Sequence, residues 1–249
     1  TGFGKAPADD RPVIFHDTRK VADAPQLFRE GFELIPHKSA VSDFESAEAI
    51  ADIYLDEVRE LLCARLGTPH VFMQQNWVLR AETRDNSARP LPGGRNAMTM
   101  KTGGFVHLDY DEEAARFWAR YSLDKLGVAE EPKGRLLVIT AWRAISSPPQ
   151  DKPLALVDRR SVSTDQYILE HIQTPLLEWN GYQISHDEQH RFCWWSGMQP
   201  DELILFLQHQ DGYGPGSGAP HTAFNHPNCA MDVPPRHSLE VRAYAYLPD

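Results

Sequence analysis

The sequence predicts an α+β fold, with helices in its first half and an antiparallel β-sandwich or barrel in its second half. Two observations lead to this prediction. Helical apolar periodicity is confined to the first half, and after Gly134 the chain consists of short β-prone runs separated by Pro-, Gly- or Asp-rich turns. Because helices do not alternate regularly with these runs, the pattern disfavours a parallel α/β arrangement. The length of 249 residues fits one domain.

Two helices are predicted in the first half of the chain. The first runs from about Ser42 to Leu66, because Ser42 and Glu45 form a capping-box pattern and Gly67 provides a stop. The second follows Asp111, carries acidic residues in its first turn and ends at Gly127. The large apolar residues expected on its inward face are Phe117, Trp118, Tyr121 and Leu126.

Five β-prone runs are predicted to form the strands of the second half. They are 135–145, 153–157, 191–196, 203–208 and 238–246. Segments 84–95 and 211–220 are rich in Gly and Pro, which predicts loops that could act as lids at the mouth of a barrel.

Composition argues against nucleic acid and membranes as partners. The formal net charge is −10, and no run of five or more Lys or Arg occurs. The longest apolar stretches, such as 136–139, are far shorter than the roughly 20 residues of a bilayer span. The three scattered cysteines and an N-terminus without the apolar run of a signal peptide predict a cytoplasmic protein.

His107 and Asp109 are the first candidates for metal ligands. They are two residues apart on an extended segment, so their side chains point to the same face. His221, which begins a short β-prone run after the glycine loop, offers a third ligand; two imidazoles and one carboxylate form a facial triad typical of Fe(II). The alternative is structural, with His107 capping a turn and Asp109 capping the next helix, since one His-x-Asp pair is weak evidence among 11 histidines.

The C-terminal run has the pattern of an anion-binding strand. Arg236, Ser238, Glu240 and Arg242 alternate with mostly apolar residues and therefore share one face of a strand. Buried arginines need an anionic partner, and a guanidinium binds a carboxylate through two hydrogen bonds, to which a serine hydroxyl can add another. An outward, solvated face is the alternative.

Three further observations concern the pocket and a rival metal site. Trp142 and Arg143 end an apolar strand and are candidates to line the pocket, although Arg143 could instead pair with an acidic residue such as Asp158. On a helix, His186 and His190 would share a face and could bind zinc. The residues around them favour a turn, and Asp187 occupies the position where that motif requires Glu.

Taken in order, these motifs resemble those of the Fe(II)/2-oxoglutarate-dependent oxygenases. The match is most specific to the family that contains the cephem 7-α-methoxylation partner protein and the fungal hydroxylase/desaturases of secondary metabolism. The similar runs are GFVHLDYDEEAARFW, ITAWRAISSPPQDKPLALVDRRSV, MQPDELILFLQHQD, PHTAFNHP and PPRHSLEVRAYAY. The resemblance extends from about Phe28 to Tyr246.

This resemblance implies a double-stranded β-helix (jelly-roll, cupin-like) core over residues 96–249. Residues 1–95 would then form a helix-bearing part that packs on this core within a single domain. It also implies Fe(II) held by His107, Asp109 and His221, and 2-oxoglutarate held at its distal carboxylate by Arg236 and Ser238. Arg242 is the alternative or assisting anchor. The substrate contacts that it implies are Tyr110, Trp142 and Arg143.

The implied activity is hydroxylation or desaturation of a small organic substrate, with consumption of O2 and formation of succinate and CO2. Two alternatives stay open. One is a non-catalytic partner subunit of a biosynthetic enzyme with the same fold, and the other is a metal-dependent cupin-type enzyme that does not use 2-oxoglutarate. The sequence fixes neither the substrate nor association into a homodimer or heterodimer.

Overall fold

The computed structural model describes residues 10–81, 97–99, 104–173, 178–214, 216–230 and 232–248. Within these ranges the chain forms two large β-sheets of seven strands each and a small number of helices. The loop predicted at 84–95 lies outside the described residues. None of the helices in the described ranges is long and apolar enough to cross a membrane.

The strands in chain order are β1 Phe15–Asp17, β2 Phe32–Pro36, β3 Val71–Met73, β4 Trp77–Ala81, β5 Ala97–Thr99, β6 His107–Leu108, β7 Arg135–Ala144, β8 Leu154–Val157, β9 Tyr167–Gln173, β10 Glu178–Ile184, β11 Phe192–Trp194, β12 Glu202–Gln210, β13 His221–Ala223 and β14 His237–Leu247. The α-helices are α1 Ala47–Ala49, α2 Leu55–Leu66 and α3 Glu112–Lys125, and a π-helical segment, Ile50–Tyr54, joins α1 to α2. Short 3-10 turns occur at Thr18–Lys20, Arg159–Ser161 and Thr164–Gln166.

The strands pair mainly in antiparallel fashion. Sheet I has the order β1-β11-β8-β13-β6-β10-β9, and sheet II has the order β2-β12-β7-β14-β4-β5, with β3 also paired to β14. The parallel pairs in the described part are β1 with β11 and β4 with β5. The first 95 residues thus contribute strands to both sheets as well as helices, because β2 pairs with β12 and β4 with β14.

Sheet II is the middle layer, because both of its faces are buried. On one face Leu205 belongs to the apolar cluster that includes Val58 and Leu62 of α2. On the other face Phe206 belongs to a cluster with Leu156 of sheet I. Successive residues of a strand point to opposite faces, which explains the division between Leu205 and Phe206. The space between the two sheets is where the candidate site lies.

The first predicted helix is present, but it begins later than expected. Ser46, rather than Ser42, is the N-cap, and its hydroxyl accepts a hydrogen bond from the Ala49 N–H at 3.2 Å. Asp43 forms a turn just before the helix, where its side chain accepts from the Glu45 N–H. The helix ends as predicted at Gly67, whose φ of +68° is in the left-handed region.

The second predicted helix is confirmed, but its inward face was predicted incorrectly. The Asp111 side chain accepts from the Ala114 N–H at 2.8 Å and caps α3. Trp118 is buried, whereas Phe117, Tyr121 and Leu126 are 46%, 37% and 40% exposed. The buried stripe consists mostly of small residues at helical spacing, which join Trp118 and Leu123; the small residues are Ala114, Ala115, Ala119 and Ser122.

All five predicted β-prone runs contain a strand. These strands are β7, β8, β11, β12 and β14. The neighbouring strands β9 and β10 were not predicted. They pair with each other along seven residues, and β10 also pairs with β6, which carries His107.

Candidate metal centre and adjoining cleft

His107, Asp109 and His221 form a buried cluster on the side of sheet I that faces sheet II. One potential ligand atom from each lies within 4.8 Å of the others. His107 begins β6 and His221 begins β13, and the two residues are direct partners in the antiparallel pairing of these strands. Their ring centroids are 4.3 Å apart. Pairing of β6 with β13 thus brings together residues from distant parts of the chain.

Both imidazoles use Nδ1 for a contact with a backbone carbonyl, so Nε2 is the nitrogen that each can offer to a metal. Nδ1 of His107 lies 2.9 Å from the Phe105 carbonyl oxygen, and Nδ1 of His221 lies 3.4 Å from the Ala219 carbonyl oxygen. A carbonyl only accepts, so Nδ1 carries the proton and Nε2 keeps its lone pair. Burial lowers the pKa of both imidazoles, and burial together with His107 lowers the pKa of His221 to about 3. Both rings are therefore neutral, which is the form that binds metals.

Asp109 presents one carboxylate oxygen to the histidines. Its Oδ2 accepts from Gln208 Nε2 at 2.7 Å and from Arg242 Nη2 at 2.6 Å, whereas its Oδ1 lies 3.6 Å from His107 Nε2. Burial acts to raise the pKa of the Asp109 carboxyl, but the positive charge of Arg242 outweighs it and holds the pKa well below its usual range. The carboxylate is therefore anionic.

The sequence left open the alternative that Asp109 caps the next helix, and the structure contradicts it. The residue that caps α3 is Asp111. Two neutral imidazole nitrogens and one carboxylate oxygen, with outer hydrogen bonds that fix their orientation, form a donor set that suits Fe(II). The residues present therefore fit the metal that the sequence predicts.

A small cleft adjoins the two histidines. Its lining includes Arg80, His107, Trp142, His221, Arg236 and Glu240. The Arg236 guanidinium carbon lies 5.3 Å from the centroid of the Trp142 ring. Ser238 Oγ is buried and has no hydrogen-bond partner within the described ranges. A basic side chain at the cleft and a buried hydroxyl nearby are features that suit a carboxylate ligand.

Arg242 and Tyr110 lie close together beside Asp109. Arg242 Nη1 donates to the Tyr110 hydroxyl at 2.7 Å, and Arg242 Nη2 donates to both Asp109 and Glu240. Neither Tyr110 nor Arg242 is among the residues that line the cleft. The guanidinium of Arg242 is thus already bound to two carboxylates.

Trp142 lines the cleft, but Arg143 does not. The Arg143 guanidinium is buried on the opposite face of β7, where it donates to Tyr54 Oη at 3.2 Å and to the Pro200 carbonyl at 2.6 Å. It does not pair with Asp158 either, whose carboxylate accepts instead from Arg160. Pairing of Arg143 with Asp158 was therefore an incorrect expectation. The Arg143 side chain points away from the cleft because neighbouring residues of a strand point to opposite faces.

Two residues at the site were not singled out from the sequence. Gln208 contacts Asp109. The sequence signal that could have pointed to it is its position as a polar residue directly after the apolar run of β12. Arg80 lines the cleft, with its Nη2 3.8 Å from Glu240 Oε2. It lies in β4 after Trp77, Val78 and Leu79, in a pattern that gave no indication of a site.

The rival histidine pair forms no such cluster in the described part of the chain. Residues 185–190 are a turn and irregular backbone, as the flanking sequence predicted, and not a helix. His190 Nε2 is hydrogen-bonded with Gln166 Oε1 at 2.9 Å.

The fold and the cluster define a class, namely a two-sheet β protein with a buried His-Asp-His cluster of metal-ligand type. A family profile described as Oxidoreductase/YMDC permease-like domain matches residues 4–246. The chain belongs to this family.

Individual relatives come from fungi. The chain is 25% identical over 257 residues to "Oxidoreductase R2" of Phoma sp., with 95% of this chain and 85% of the relative covered. It is 25% identical over 249 residues to "Fe(II)/2-oxoglutarate-dependent dioxygenase nvfI" of Aspergillus novofumigatus, with coverage of 94% and 82%.

A solved structure shares the fold. The chain superposes with a TM-score of 0.77 on "iron and alpha-ketoglutarate-dependent endoperoxidase NvfI", at 24% identity, with 94% of this chain and 85% of that chain covered. At this identity the likeness concerns the fold.

Proposed function

We propose that this chain is an Fe(II)/2-oxoglutarate-dependent oxygenase that acts on a small organic substrate of the secondary-metabolite type. The observation that carries this proposal is the buried cluster of His107, Asp109 and His221 beside a cleft lined by Arg236. The iron- and 2-oxoglutarate-dependent relative and structural neighbour support it. A jelly-roll core within one domain is part of the same proposal.

Each residue at the centre has a role in this proposal. Fe(II) is held by Nε2 of His107, Nε2 of His221 and Oδ1 of Asp109. The distal carboxylate of 2-oxoglutarate is held by Arg236, and Ser238 Oγ gains there the hydrogen-bond partner that it otherwise lacks within the described ranges. Arg242 is not the anchor in this assignment, because its guanidinium is already bound to Asp109 and Glu240.

When bound, iron and 2-oxoglutarate supply an oxidant from O2, with formation of succinate and CO2 and oxidation of a substrate C–H bond. The protein's own residues hold these groups and exclude water. The apolar wall of the cleft is formed by three buried residues, Trp142, Leu154 and Phe206. An apolar wall with a few fixed polar groups is typical of small-molecule sites. Hydroxylation and desaturation are both compatible with these residues.

Tyr110 is a positioning contact of Arg242 in this proposal, and Trp142 is the substrate contact retained from the sequence. A cytoplasmic location and association into a homodimer or heterodimer stay predictions, as does the absence of nucleic-acid and membrane partners. The closer kinship to the cephem 7-α-methoxylation partner protein is likewise a proposal, and it bears on whether the chain acts alone.

An anaerobic titration of the purified chain with Fe(II) and then 2-oxoglutarate tests the proposal. A weak visible charge-transfer band is expected when both are present, and its absence from the wild-type protein would count against the site. Succinate release from the chain alone, with substrate, separates an enzyme from a non-catalytic partner subunit. Turnover of O2 without 2-oxoglutarate would instead indicate a cupin-type enzyme of another kind.

A further inference from the structure

Gln208 holds Asp109 by both its side chain and its backbone. The residue is 1% exposed, and a buried amide lowers stability unless its polar atoms are hydrogen-bonded. Its Nε2 donates to Asp109 Oδ2 at 2.7 Å and to Thr140 Oγ1 at 3.1 Å. Its Oε1 accepts from the Asp109 backbone N–H at 3.3 Å. All the hydrogen-bonding groups of the amide are thus engaged, and two of the three contacts are with Asp109.

The chemistry of Asp109 fixes which way this amide points. A reversed amide would set Oε1 against the carboxylate oxygen and the Nε2 hydrogens against the backbone N–H. Both contacts would be repulsive. The donor and acceptor of Asp109 therefore specify one orientation of Gln208, and Gln208 in turn specifies one orientation of the carboxylate.

A β-bulge aims Gln208 at Asp109. Leu207 of β12 pairs with Ile139 of β7, and His209 pairs with the next residue, Val138, so Gln208 is the extra residue. Bulges bend a strand and redirect a side chain, and they are common beside active sites. The segment before His221 packs on this bulge, since a Cβ at Gly218 would lie 2.5 Å from the Gln208 carbonyl oxygen.

The remaining polar atoms of Asp109 are also assigned. Arg242 Nη2 makes the second hydrogen bond to Oδ2, and Trp179 Nε1 donates to the Asp109 carbonyl at 3.0 Å. Oδ1 is left on the side of His107. A carboxylate that bound the metal through both oxygens would occupy a position that a facial triad leaves open for co-substrate or O2.

We propose that Gln208 is a positioning residue that restricts Asp109 to binding the metal through Oδ1 alone. The inference rests on the proposed Fe(II) function.

The substitution Gln208→Met tests it, because methionine has a similar length but makes no amide hydrogen bonds. The matched control is Gln210→Met, two residues along the same strand, where the side chain accepts from Arg159 rather than contacting Asp109. Both variants are titrated anaerobically with Co(II). The titration measures the affinity for Co(II) and the visible d–d spectrum, which reports the coordination number of the metal. Gln208→Met should weaken Co(II) binding roughly 10–100-fold and alter the spectrum, as is usual for partners of metal ligands. Gln210→Met should leave affinity and spectrum as in the wild type.

Wild-type affinity and spectrum in folded Gln208→Met would overturn the inference while leaving the proposed function intact. Failure of the wild-type chain to bind Co(II) would overturn the proposed function instead. If Gln208→Met does not fold, the variant Thr140→Val tests the inference instead. It removes only the Thr140 hydroxyl, which is the second acceptor of Gln208 Nε2. A smaller loss of affinity with a shifted spectrum supports the role of Gln208, and unchanged values for both contradict it.

Discussion

His107 and His221 face each other as direct cross-strand partners in the pairing of β6 with β13. Their side chains share a face of sheet I, and Asp109, two residues after His107, faces the same way. The cluster therefore depends on strand register. A slip of one residue in either strand would turn its histidine to the other face of the sheet.

His221→Ala should abolish metal binding. Loss of a direct ligand should exceed the roughly 10–100-fold cost of altering an outer partner, so no saturable binding of Mn(II) or Co(II) is expected in anaerobic calorimetry. His171→Ala is the matched control, because His171 is an exposed residue of β9 that contacts Asn180. If His221→Ala bound the metal with the affinity of the wild type, His221 would not be a metal ligand.

Arg236→Ala should weaken 2-oxoglutarate binding and leave metal affinity unchanged. Hydrogen bonds to a charged group contribute roughly 1.5–3 kcal/mol, which corresponds to about 10–100-fold in the dissociation constant of the co-substrate. The anaerobic charge-transfer titration measures this dissociation constant. Ser238→Ala should give a smaller effect of the same kind.

Arg242→Ala provides the contrast, since Arg242 donates to Asp109 Oδ2. It should weaken metal binding first and 2-oxoglutarate only as a consequence. The opposite result, with metal affinity intact and co-substrate affinity reduced, would make Arg242 the anchor.

Local features of the fold were predictable from the sequence, and features that depend on register were not. The Asp111 cap and the Gly67 stop are set by residues within one turn of the helix. The shared face of His107 and Asp109 follows from the two-residue period of an extended segment. The bulge at Gln208 arises only when β12 is paired with β7, so the sequence alone could not indicate it.

Strands buried on both faces hide which residues face the site. All residues of β7 after Arg135 are buried, so hydrophobicity could not show that Trp142 faces the cleft and Arg143 faces the helices. On α3, small residues face the sheets, so counting large apolar residues led to the incorrect inward assignment of Phe117 and Tyr121.

Arg143→Met should lower stability without affecting the site. Its guanidinium donates to Tyr54 Oη and to the carbonyls of Pro200 and His37, and its loss leaves these buried acceptors unsatisfied. The free energy of unfolding should fall by roughly 3 kcal/mol, measured by urea denaturation. Metal and 2-oxoglutarate affinities should match the wild type. Weaker 2-oxoglutarate binding at an unchanged free energy of unfolding would contradict this prediction and indicate that Arg143 contacts the ligands of the cleft.

The metal-free protein should lose stability as the pH falls below about 6.5. Burial lowers the pKa of His221 to about 3, whereas an unfolded histidine has a pKa of about 6.5. Between these values the unfolded chain binds a proton that the folded chain does not, so the free energy of unfolding falls by up to roughly 1.4 kcal/mol per pH unit from this residue. Burial lowers the pKa of His107 as well, with the same sign.

Urea denaturation with chelator at about pH 6.5 and about pH 4.5 measures this dependence. His221→Gln should flatten it, because glutamine does not titrate. Equal pH slopes in the two proteins would contradict the burial of a neutral His221.

Gly181→Ala should damage the metal site through the backbone of Asp109. A Cβ at position 181 of β10 would lie 2.7 Å from the Leu108 carbonyl oxygen and 2.9 Å from that of Asp109. β10 or Asp109 must therefore shift, with a loss of roughly 1–3 kcal/mol in stability and a Co(II) affinity lower by about tenfold or more.

Gly67→Ala is the matched control for this glycine change. A Cβ there meets no atom within 4 Å, but φ is +68°, so only left-handed strain of about 1 kcal/mol is expected. Both variants should show lower midpoints of urea unfolding, yet only Gly181→Ala should show weaker Co(II) binding. If both variants kept wild-type metal affinity, the close approach of β10 would not be what positions Asp109, and the hydrogen bonds from Gln208 and Arg242 would suffice.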